Sequence, residues 1–309
     1  MKHYSVLLDE TINILDIKKD GIYVDGTLGL GGHALKILKK LDKGHLFAFD
    51  LDINAINYCK EYLIDYKDKI TYIHSNYANI KDKLYEYNIT KVDGIILDLG
   101  VSSPQFDIAT RGFSYRYDHK LDMRMDQSQV IDAKYIINNY SKEELVDILY
   151  KYSDEKDSYR IVNNIIKQRE ISSINTTLEL VDIVKASKTN KELSKKGHPA
   201  KKTFQAIRIK VNNELDNLIH LLDNIDDLLY IDGVLAIISF HSIEDRIIKR
   251  YFNKLTKPTK VDKRLPIINI EVKEYKLINN KPIVPSDNEI IENNRSKSAK
   301  LRAIRRIKR

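Results

Sequence analysis

The stretch over residues 23–33, YVDGTLGLGGH, most constrains what this chain can fold into. Tyr23 and Val24 are typical of the end of a buried strand, glycines follow in close succession, and the apolar residues of 34–41 recur at helical spacing. Glycines let the backbone approach a ligand, and the start of a helix offers unpaired N–H groups. The pattern therefore predicts the first strand, loop and helix of a nucleotide-binding α/β sheet.

The spacing of the glycines narrows the class of ligand. It is G-x-G-G from Gly29 to Gly32, whereas dinucleotide-binding enzymes have G-x-G-x-x-G, and an acid, Asp25, opens the loop. A second apolar run, residues 45–49, ends in Asp50, whose carboxylate suits the two hydroxyls of a ribose. This form is typical of S-adenosylmethionine sites. On this stretch alone, a plain turn with glycines for geometry is the alternative.

Strand and helix patterns alternate over the first hundred residues. The predicted strands are 21–25, 45–50, 70–74 and 92–97, and the predicted helices are 34–41, 53–63 and 80–87. Such alternation predicts a parallel, doubly wound sheet, which binds ligands at the carboxyl ends of its strands. Those ends carry the glycine loop, Asp50, Tyr77 and Asp98. Tyr77 offers a face to a purine or is an ordinary packing residue, and Asp98 is a site residue or a helix cap.

After Asp98 the alternation stops, and residues 99–126 predict a long loop of the kind that is usually functional. Helical patterns follow over 132–138, 142–150, 158–168 and 177–186, with capping boxes that begin at Ser141 and Thr176. One long helix is predicted over 204–223, then strands over 233–240, 267–278 and 300–307, the last two antiparallel. We therefore predict an inserted all-helical domain over 104–203, within a sheet domain formed by 1–103 and 204–309.

The placement of charge is more informative than its total. The chain has a net charge of +8, and residues 295–309 hold eight Lys and Arg and no acid. A second acid-free stretch, residues 193–213, holds six more basic residues. Local basic segments suggest contacts with phosphate backbones, with solvated surface lysines as the alternative.

Other features exclude several classes of protein. The single cysteine, Cys59, rules out an internal disulfide and a cysteine zinc site, and it favours the reducing cytoplasm. No apolar run is long enough to span a membrane, and the first residues do not form a signal peptide. His198 and His241 have no metal-like spacing, so we predict no metal site.

Four phrases together resemble one family. VDGTLGLGGH, DLGVSSPQ, RGFSYRYDHKLDMRMD, and HPAKKTFQAIRIKVNNEL with ISFHSIEDR are similar to the bacterial RsmH (MraW) methyltransferases, and the ends of the chain fit as well. That family methylates the 4-amino group of a decoding-site cytidine in 16S ribosomal RNA. The resemblance implies a Rossmann-like S-adenosylmethionine-dependent methyltransferase sheet, an inserted helical domain for substrate recognition, and 16S rRNA or the small ribosomal subunit as partner. A homodimer is left open.

The resemblance also implies site residues. The implied cofactor contacts are Gly31, Gly32, His33, Asp50, Tyr77, Asp98 and Gln105. The candidates for substrate contact in the same phrases are Ser102, Ser103, Arg111, His198, Lys201, Lys202, Arg208 and His241. Relatives often have Thr-Arg where this chain has Lys201-Lys202, and Phe where it has Tyr77.

The chemistry of the reaction gives Asp98 a catalytic role as a hypothesis. The lone pair of a cytosine 4-amino nitrogen is delocalised into the ring, so an acceptor on its N–H would favour a pyramidal, reactive nitrogen. Asp98, Ser102 or Ser103 could be that acceptor. Cys59 is not placed for attack on a pyrimidine ring, which disfavours methylation of the 5-carbon. The base must also leave its stack to reach the cofactor.

Three other functions are weighed against this one. The first is a methyltransferase that acts on DNA or protein. The basic segments favour a nucleic acid over a protein as the substrate, but they do not distinguish RNA from DNA. The second is an NAD-dependent dehydrogenase, which the glycine spacing disfavours. The third is a non-enzymatic RNA-binding protein, which the intact glycine loop, Asp50 and Asp98 disfavour.

Overall fold

In the computed structural model, which describes residues 5–101, 106, 108–257 and 273–307, the strands form one seven-stranded sheet in the order β3-β2-β1-β4-β5-β7-β6. The strands are β1 (Ile22–Asp25), β2 (His45–Asp50), β3 (Ile70–His74), β4 (Val92–Asp98), β5 (Leu229–Ser239), β6 (Tyr275–Leu277) and β7 (Lys300–Arg306). Strands β1 to β5 pair in parallel, and β7 runs antiparallel to β5 and β6. The predicted Rossmann-like methyltransferase sheet is confirmed.

Each helix predicted between residues 34 and 186 forms, and further helices form over 190–193, 242–256 and 287–292, where none is predicted. They are α1 (Leu8–Leu15), α2 (Gly32–Lys40), α3 (Ile53–Tyr62), α4 (Ile80–Tyr85), α5 (Ala133–Asn139), α6 (Lys142–Ser153), α7 (Ser158–Ile171), α8 (Thr177–Ala186), α9 (Asn190–Leu193), α10 (Lys201–Val211), α11 (Glu214–Asp223), α12 (Ser242–Thr256) and α13 (Asp287–Glu292). Both predicted capping boxes are present: Ser141 with Glu144 begins α6, and Thr176 with Glu179 begins α8.

The central strands are apolar in succession because both faces of the sheet are covered, as in other parallel sheets. One core cluster packs the sheet against α1, α2 and α3, through residues such as Ile12, Ile37 and Ile56. The other packs it against α4, α11 and α12 through residues such as Leu84 and Phe252. Two covered faces leave the ends of the strands as the part of the sheet that is open to a ligand.

The chain divides into two compact units, Met1–Gly100 with Asp216–Arg309, and Val101–Leu215. The first unit, which we call the sheet unit, contains all seven strands. The second unit, which we call the helical unit, contains α5 to α10 around a core of its own. The helical unit therefore extends further along the chain than residue 203, where the sequence analysis ends the inserted domain.

The predicted single helix over 204–223 is wrong, because two helices form there. Asn213 has a left-handed backbone, with φ of 49°, which ends α10 before α11 begins. The side chain of Asn212 donates to the carbonyl oxygens of Met123 and Arg208 at 2.8 and 2.9 Å. These contacts hold α10 in the helical unit, and the sheet unit resumes at Asp216.

Smaller differences concern the last strands. Strand β5 begins at Leu229, four residues before the predicted start at 233. The predicted strand over 267–278 is represented by β6, and residues 267–272 lie outside the described residues. In the described part of the chain, every helix is too short or too polar to cross a bilayer.

Candidate functional site

Glycine is required at two positions of the loop between β1 and α2. Gly31 has a left-handed backbone, with φ of 75°, and a Cβ atom there would lie 2.9 Å from the Sγ atom of Cys59 on α3. A Cβ atom on Gly32 would lie 1.9 Å from the Oγ atom of Ser5. Any side chain would displace α3 or the N-terminal segment, so the loop keeps a bare backbone that a ligand can approach closely.

Asp50 holds this loop to the end of β2. Its Oδ2 atom accepts a hydrogen bond from the Gly29 N–H, and its Oδ1 atom accepts one from the Asp52 N–H, each at 2.8 Å. Burial raises the pKa of Asp50 to about 6, and the two N–H donors oppose that rise. A carboxylate has about four lone-pair positions, so both oxygens retain the capacity to accept hydroxyl donors from a ribose.

Asp25, at the end of β1, is a candidate site residue that the sequence analysis did not propose. Its side chain is buried, and its Oδ1 atom accepts a hydrogen bond from the Thr27 N–H at 3.1 Å. Its Oδ2 atom is buried with no hydrogen-bond partner among the described residues. Burial, and secondarily the charge of Asp50, raise the pKa of Asp25 to about 7. Its position at a strand end, like those of Asp50 and Asp98, is the sequence signal that could have identified it.

Asp98 ends β4, and its backbone N–H donates to the Thr27 hydroxyl at 2.6 Å. Its side chain is 24% exposed and its Oδ2 atom lies 4.0 Å from Nδ1 of His33, a buried residue of α2. The Oδ1 atom, by contrast, is buried and has no hydrogen-bond partner within the described ranges. Burial raises the pKa of Asp98 to about 8, and the charge of Asp25 is the second-largest cause of that rise.

Tyr77 follows β3 and begins a short 3-10 helix, which the side chain of Asn76 caps by accepting a hydrogen bond from the Ala78 N–H. Tyr77 lies against the loop at Gly26, since a Cβ atom on Gly26 would lie 3.1 Å from the Cβ atom of Tyr77. The structure therefore places Gly31, Gly32, His33, Asp50, Tyr77 and Asp98 at the carboxyl ends of β1 to β4. Gln105, Ser102 and Ser103 lie outside the described residues.

The donor and acceptor balance of this end of the sheet decides which ligand fits. Asp25, Asp50 and Asp98 are carboxylates at neighbouring strand ends, and two of them have a buried oxygen without a partner among the described residues. Such a site favours a ligand that carries hydroxyl and ammonium donors and a positive charge, as S-adenosylmethionine does. It does not suit a pyrophosphate, because acids at three neighbouring strand ends offer acceptors and negative charge where phosphate oxygens would need donors. The fit therefore disfavours the dinucleotide alternative.

His241 lies at the carboxyl end of β5, next to β4. Its Nδ1 atom accepts a hydrogen bond from the Glu244 N–H at 3.3 Å, and its Nε2 atom lies 3.0 Å from Glu244 Oε1. The buried carboxylate of Glu244 also accepts from the N–H groups of Phe240 and His241, so these residues form a capping box that begins α12. The Nδ1 atom of His241 is therefore part of this cap, whereas its Nε2 atom is buried and makes no hydrogen bond among the described residues.

In the helical unit, three of the substrate candidates are engaged by the fold itself. Arg208 forms a two-pronged ion pair with Glu214, with both N–O distances at 2.8 Å. Arg111 is buried and donates to the backbone carbonyl oxygens of Arg124 and Met125 at 3.0 and 2.9 Å. Lys202 donates to the carbonyl oxygen of Asp154, just past the end of α6, at 2.8 Å. Their charges therefore stabilise the helical unit.

The remaining two candidates in the helical unit are different. The imidazole of His198 stacks on the ring of Tyr115, with centroids 4.3 Å apart and an angle of 15° between the planes. Lys201 is exposed at the start of α10 and forms no ion pair with any described residue. These two residues remain available to a ligand of the helical unit.

The C-terminal basic stretch is not a free tail. Residues 300–306 form β7, where Arg302 pairs with Asp245 at 2.6 Å and Arg306 donates to the carbonyl oxygen of Leu229 at 2.9 Å. Lys300 also pairs with Asp245, at 3.1 Å. Much of the charge that suggested a phosphate contact is therefore balanced inside the sheet unit.

A search of protein families gives one decisive match. The model described as the MraW methylase family matches residues 1–307. The chain belongs to the MraW methylase family. Membership over nearly the whole chain confirms the family that the sequence phrases resemble, and with it a methyltransferase whose methyl donor is S-adenosylmethionine. In the described residues, no group of three or more His, Cys, Asp and Glu side chains is arranged to hold a metal ion.

Solved structures that align with this chain include three methylases. An rRNA methylase from Streptococcus thermophilus is 13% identical, with 100% of this chain and 99% of that one covered and a TM-score of 0.41. A protein from Clostridium thermocellum assigned as an rRNA-methylase is also 13% identical, with 99% and 100% covered and a TM-score of 0.46. A SAM-dependent O-methyltransferase from Thermotoga maritima is 8% identical, with 100% and 69% covered and a TM-score of 0.41. Similarity at this level does not bear on the activity of this chain.

Proposed function

We propose that this MraW-family methylase transfers a methyl group from S-adenosylmethionine to the exocyclic 4-amino group of a decoding-site cytidine in 16S ribosomal RNA. Family membership and the sequence phrases that resemble the RsmH type support the substrate. The observation that carries the proposal is the Asp98 carboxylate, whose buried Oδ1 atom has no hydrogen-bond partner among the described residues. An unsatisfied buried acceptor at the ligand end of a strand calls for a donor from a ligand.

The cofactor would be held by the residues at the strand ends. Asp50 accepts from the ribose hydroxyls, Tyr77 offers its ring to the adenine, and the backbone at Gly31 and Gly32 approaches the methionine part closely. Asp25 supplies negative charge next to a cationic ligand. Gln105, which lies outside the described residues, is proposed as a further contact from the sequence resemblance alone.

Asp98 would act on the target amine. When bound, S-adenosylmethionine supplies an electrophilic methyl group on a positively charged sulfur. The Asp98 carboxylate accepts an N–H of the cytosine amine, which favours a pyramidal nitrogen with an exposed lone pair. The bound cofactor would supply the methyl for a new N–C bond to that lone pair and would leave as the neutral thioether, and Asp98 would accept the proton that the amine loses. A pKa raised to about 8 makes this carboxylate a stronger base than an ordinary Asp.

The RNA would be bound by the helical unit and by the candidates that the fold leaves available. Lys201 and His198 are the strongest of these, and Ser102 and Ser103 are proposed near the amine from the sequence alone. Arg111, Lys202 and Arg208 would shape the helical unit instead of contacting phosphates, because their donors are engaged internally. We place the activity in the cytoplasm, where small ribosomal subunits are assembled.

The test is transfer of an isotope-labelled methyl group by the purified protein. The substrates are small ribosomal subunits and free 16S rRNA from cells that lack the gene, with a DNA of the same decoding-site sequence as a further arm. After digestion to nucleosides, mass spectrometry should find the label on the cytidine 4-amino group, and Asp98→Ala should abolish it. Label on a 5-carbon, on a ribose or on DNA alone would overturn the proposal.

A further inference from the structure

The helical unit contains a stacked pair of rings that the methyl-transfer chemistry does not explain. Tyr115 and His198 lie nearly parallel, 4.3 Å apart, and Phe204 meets the Tyr115 ring edge-on at 5.7 Å. Phe204 is buried, whereas Tyr115 and His198 are each half-buried. The pair is therefore anchored on the helical core and is partly open to solvent.

The hydrogen bonds of His198 fix its ring in place. Its Nδ1 atom accepts from the Ala200 N–H at 3.3 Å, and its backbone carbonyl accepts from the Lys201 N–H at the start of α10. An accepting Nδ1 atom puts the proton of the neutral ring on Nε2. No described residue receives a hydrogen bond from Nε2, so this donor is available to a ligand. A ring that is held in position before binding loses little conformational entropy when a base stacks on it.

Exposed cations adjoin the two stacked residues along the chain. Arg116 directly follows Tyr115, Lys195 and Lys196 shortly precede His198, and Lys201 follows it. All four are exposed, and none forms an ion pair within the part of the chain that the structure describes.

The lowered pKa of His198 also indicates that cations lie close to its ring. Burial lowers the pKa of His198, and the charges of Lys185 and Arg116 lower it further, so both cations are close to the ring. A neutral imidazole at neutral pH stacks on a base without adding a charge that must be desolvated. Lys185 itself is exposed and has only a loose pairing with Asp182 at 3.8 Å.

We propose that the Tyr115–His198 pair is a stacking platform for an unpaired nucleobase of the RNA substrate, and that Arg116, Lys185 and Lys201 contact the phosphates next to that base. Aromatic rings with flanking cations are the usual construction of a single-stranded nucleic-acid site. The inference rests on the proposed function for the identity of the polymer. It assigns the pair to substrate binding, so its loss should raise KM and leave the rate at saturating RNA unchanged.

The test measures binding of a single-stranded decoding-site fragment of 16S rRNA, and of the same sequence in a full duplex, by the intact protein. Tyr115→Leu keeps apolar volume against Phe204 but removes the ring, and Tyr115→Phe keeps the ring. His198→Asn keeps an acceptor for the Ala200 N–H and removes the imidazole. We expect Tyr115→Leu and His198→Asn to weaken single-strand binding by roughly ten- to a hundredfold, and Tyr115→Phe to bind like the wild type.

The cations are tested by the salt dependence of the same binding. Arg116→Gln should reduce the slope of log K against log salt by about 0.7, whereas Lys151→Gln, which removes a lysine paired with Asp147 on its own helix, should not change it. Cofactor affinity and melting temperature show that each variant is folded, and if Tyr115→Leu is unfolded then His198→Asn decides.

Equal loss of single-strand and duplex binding, or wild-type binding by both ring variants, would overturn the platform. A wild-type protein that methylates no RNA would instead overturn the proposed function, which keeps the two failures separate.

Discussion

The ligand end of the sheet unit and the exposed surface of the helical unit are opposite in charge and alike in one respect. Around the glycine loop, Asp25 and Asp98 are acids with a buried oxygen that no described residue satisfies. Around the Tyr115–His198 pair, the exposed cations Arg116 and Lys201 have no acid partner among the described residues, and Lys185 has only a loose one in Asp182 at 3.8 Å. The fold leaves each set unpaired, and each suits a different ligand: a cationic cofactor for the first, and phosphates for the second.

Other charged residues are paired within the fold, and their role is in stability. Lys188 is buried with Glu155 and Asp157 at 3.0 and 3.4 Å, and Arg208 is held by Glu214. Losing one partner from such a buried pair leaves a charge that is uncompensated, so these residues matter for stability. The distinction predicts which substitutions change catalysis, which change binding, and which change only folding.

The largest effect should come from Asp98→Asn. The variant keeps the shape of the side chain and one acceptor but loses the charge, so the methyl-transfer rate at saturating cofactor and RNA should fall about a hundredfold, as when one preorganised transition-state contact is removed. Single-turnover methylation is the measurement. Asp93→Asn, at the other end of the same strand, is the matched control and should retain the wild-type rate. A rate for Asp98→Asn within a few-fold of wild type would reduce Asp98 to a cofactor contact.

The sequence predicts where these acids lie because the strand ends are local features. Asp50 and Asp98 each follow an apolar run, and the parallel topology brings such ends together without further information. Asp25 was missed as a binding residue because its significance depends on burial and on a missing partner, which only packing reveals. The sequence analysis missed the break between α10 and α11. Asn212 and Asn213 have low helix propensity, but only tertiary contacts make a helix end at such residues.

Charge patterns were the least reliable guide, for a physical reason. A count of basic residues does not show whether an acid lies opposite. Arg208 meets Glu214 across the break between two helices, and Arg302 meets Asp245 from a strand far along the chain. Only the structure separates these residues from Lys201, which has no such partner in the described part of the chain.

The second effect concerns cofactor affinity. Asp50→Ala removes the carboxylate that we propose for the ribose, and we expect binding of S-adenosylmethionine to weaken by about 1–3 kcal/mol, the scale of a lost hydrogen bond to a charged group. Isothermal titration gives the affinity directly. Because Asp50 also accepts from the Gly29 N–H, the melting temperature of the variant must be measured beside it. A folded Asp50→Ala protein with wild-type affinity would contradict the assignment.

The third effect is the pH dependence of cofactor binding. The pKa values of Asp25 and Asp98 are raised to about 7 and 8 in the folded protein. Each carboxyl group therefore stabilises the free protein at pH values below the pKa that the group has in the unfolded chain. That contribution is lost as the pH rises through the raised pKa. A cationic ligand favours the ionised form, so affinity should increase with pH toward 8, by at most about tenfold per pH unit for each proton released.

Titration calorimetry between pH 6 and 9, in buffers of different protonation enthalpy, measures the protons released. The ligand's own amino group also titrates in this range, so the comparison of wild type with Asp98→Asn is the decisive one. The variant should release fewer protons on binding. Equal release by both proteins would show that Asp98 is not the titrating group.

The smallest expected effect is on the salt dependence of RNA binding, and it should differ between two neighbouring lysines. Lys201→Gln should lower the salt slope of RNA binding by about 0.7 for one lost phosphate contact, with cofactor affinity unchanged. Lys202→Gln removes the same charge, but its Nζ atom holds the Asp154 carbonyl, so melting temperature should respond more than the slope. If the two variants changed the slope equally, the internal hydrogen bond of Lys202 would not limit its contact with RNA.

The most direct test of the account is nucleoside mapping of 16S rRNA by mass spectrometry. The RNA is taken from cells with the gene, without it, and with the gene carrying Asp50→Ala. The proposed binding of a cationic methyl donor by the carboxylates at the strand ends, in a protein of the MraW methylase family, predicts one decoding-site cytidine with a methyl on its 4-amino nitrogen in the first strain only. The same cytidine modified in all three strains, or lost methylation only on another atom or another RNA, would contradict it.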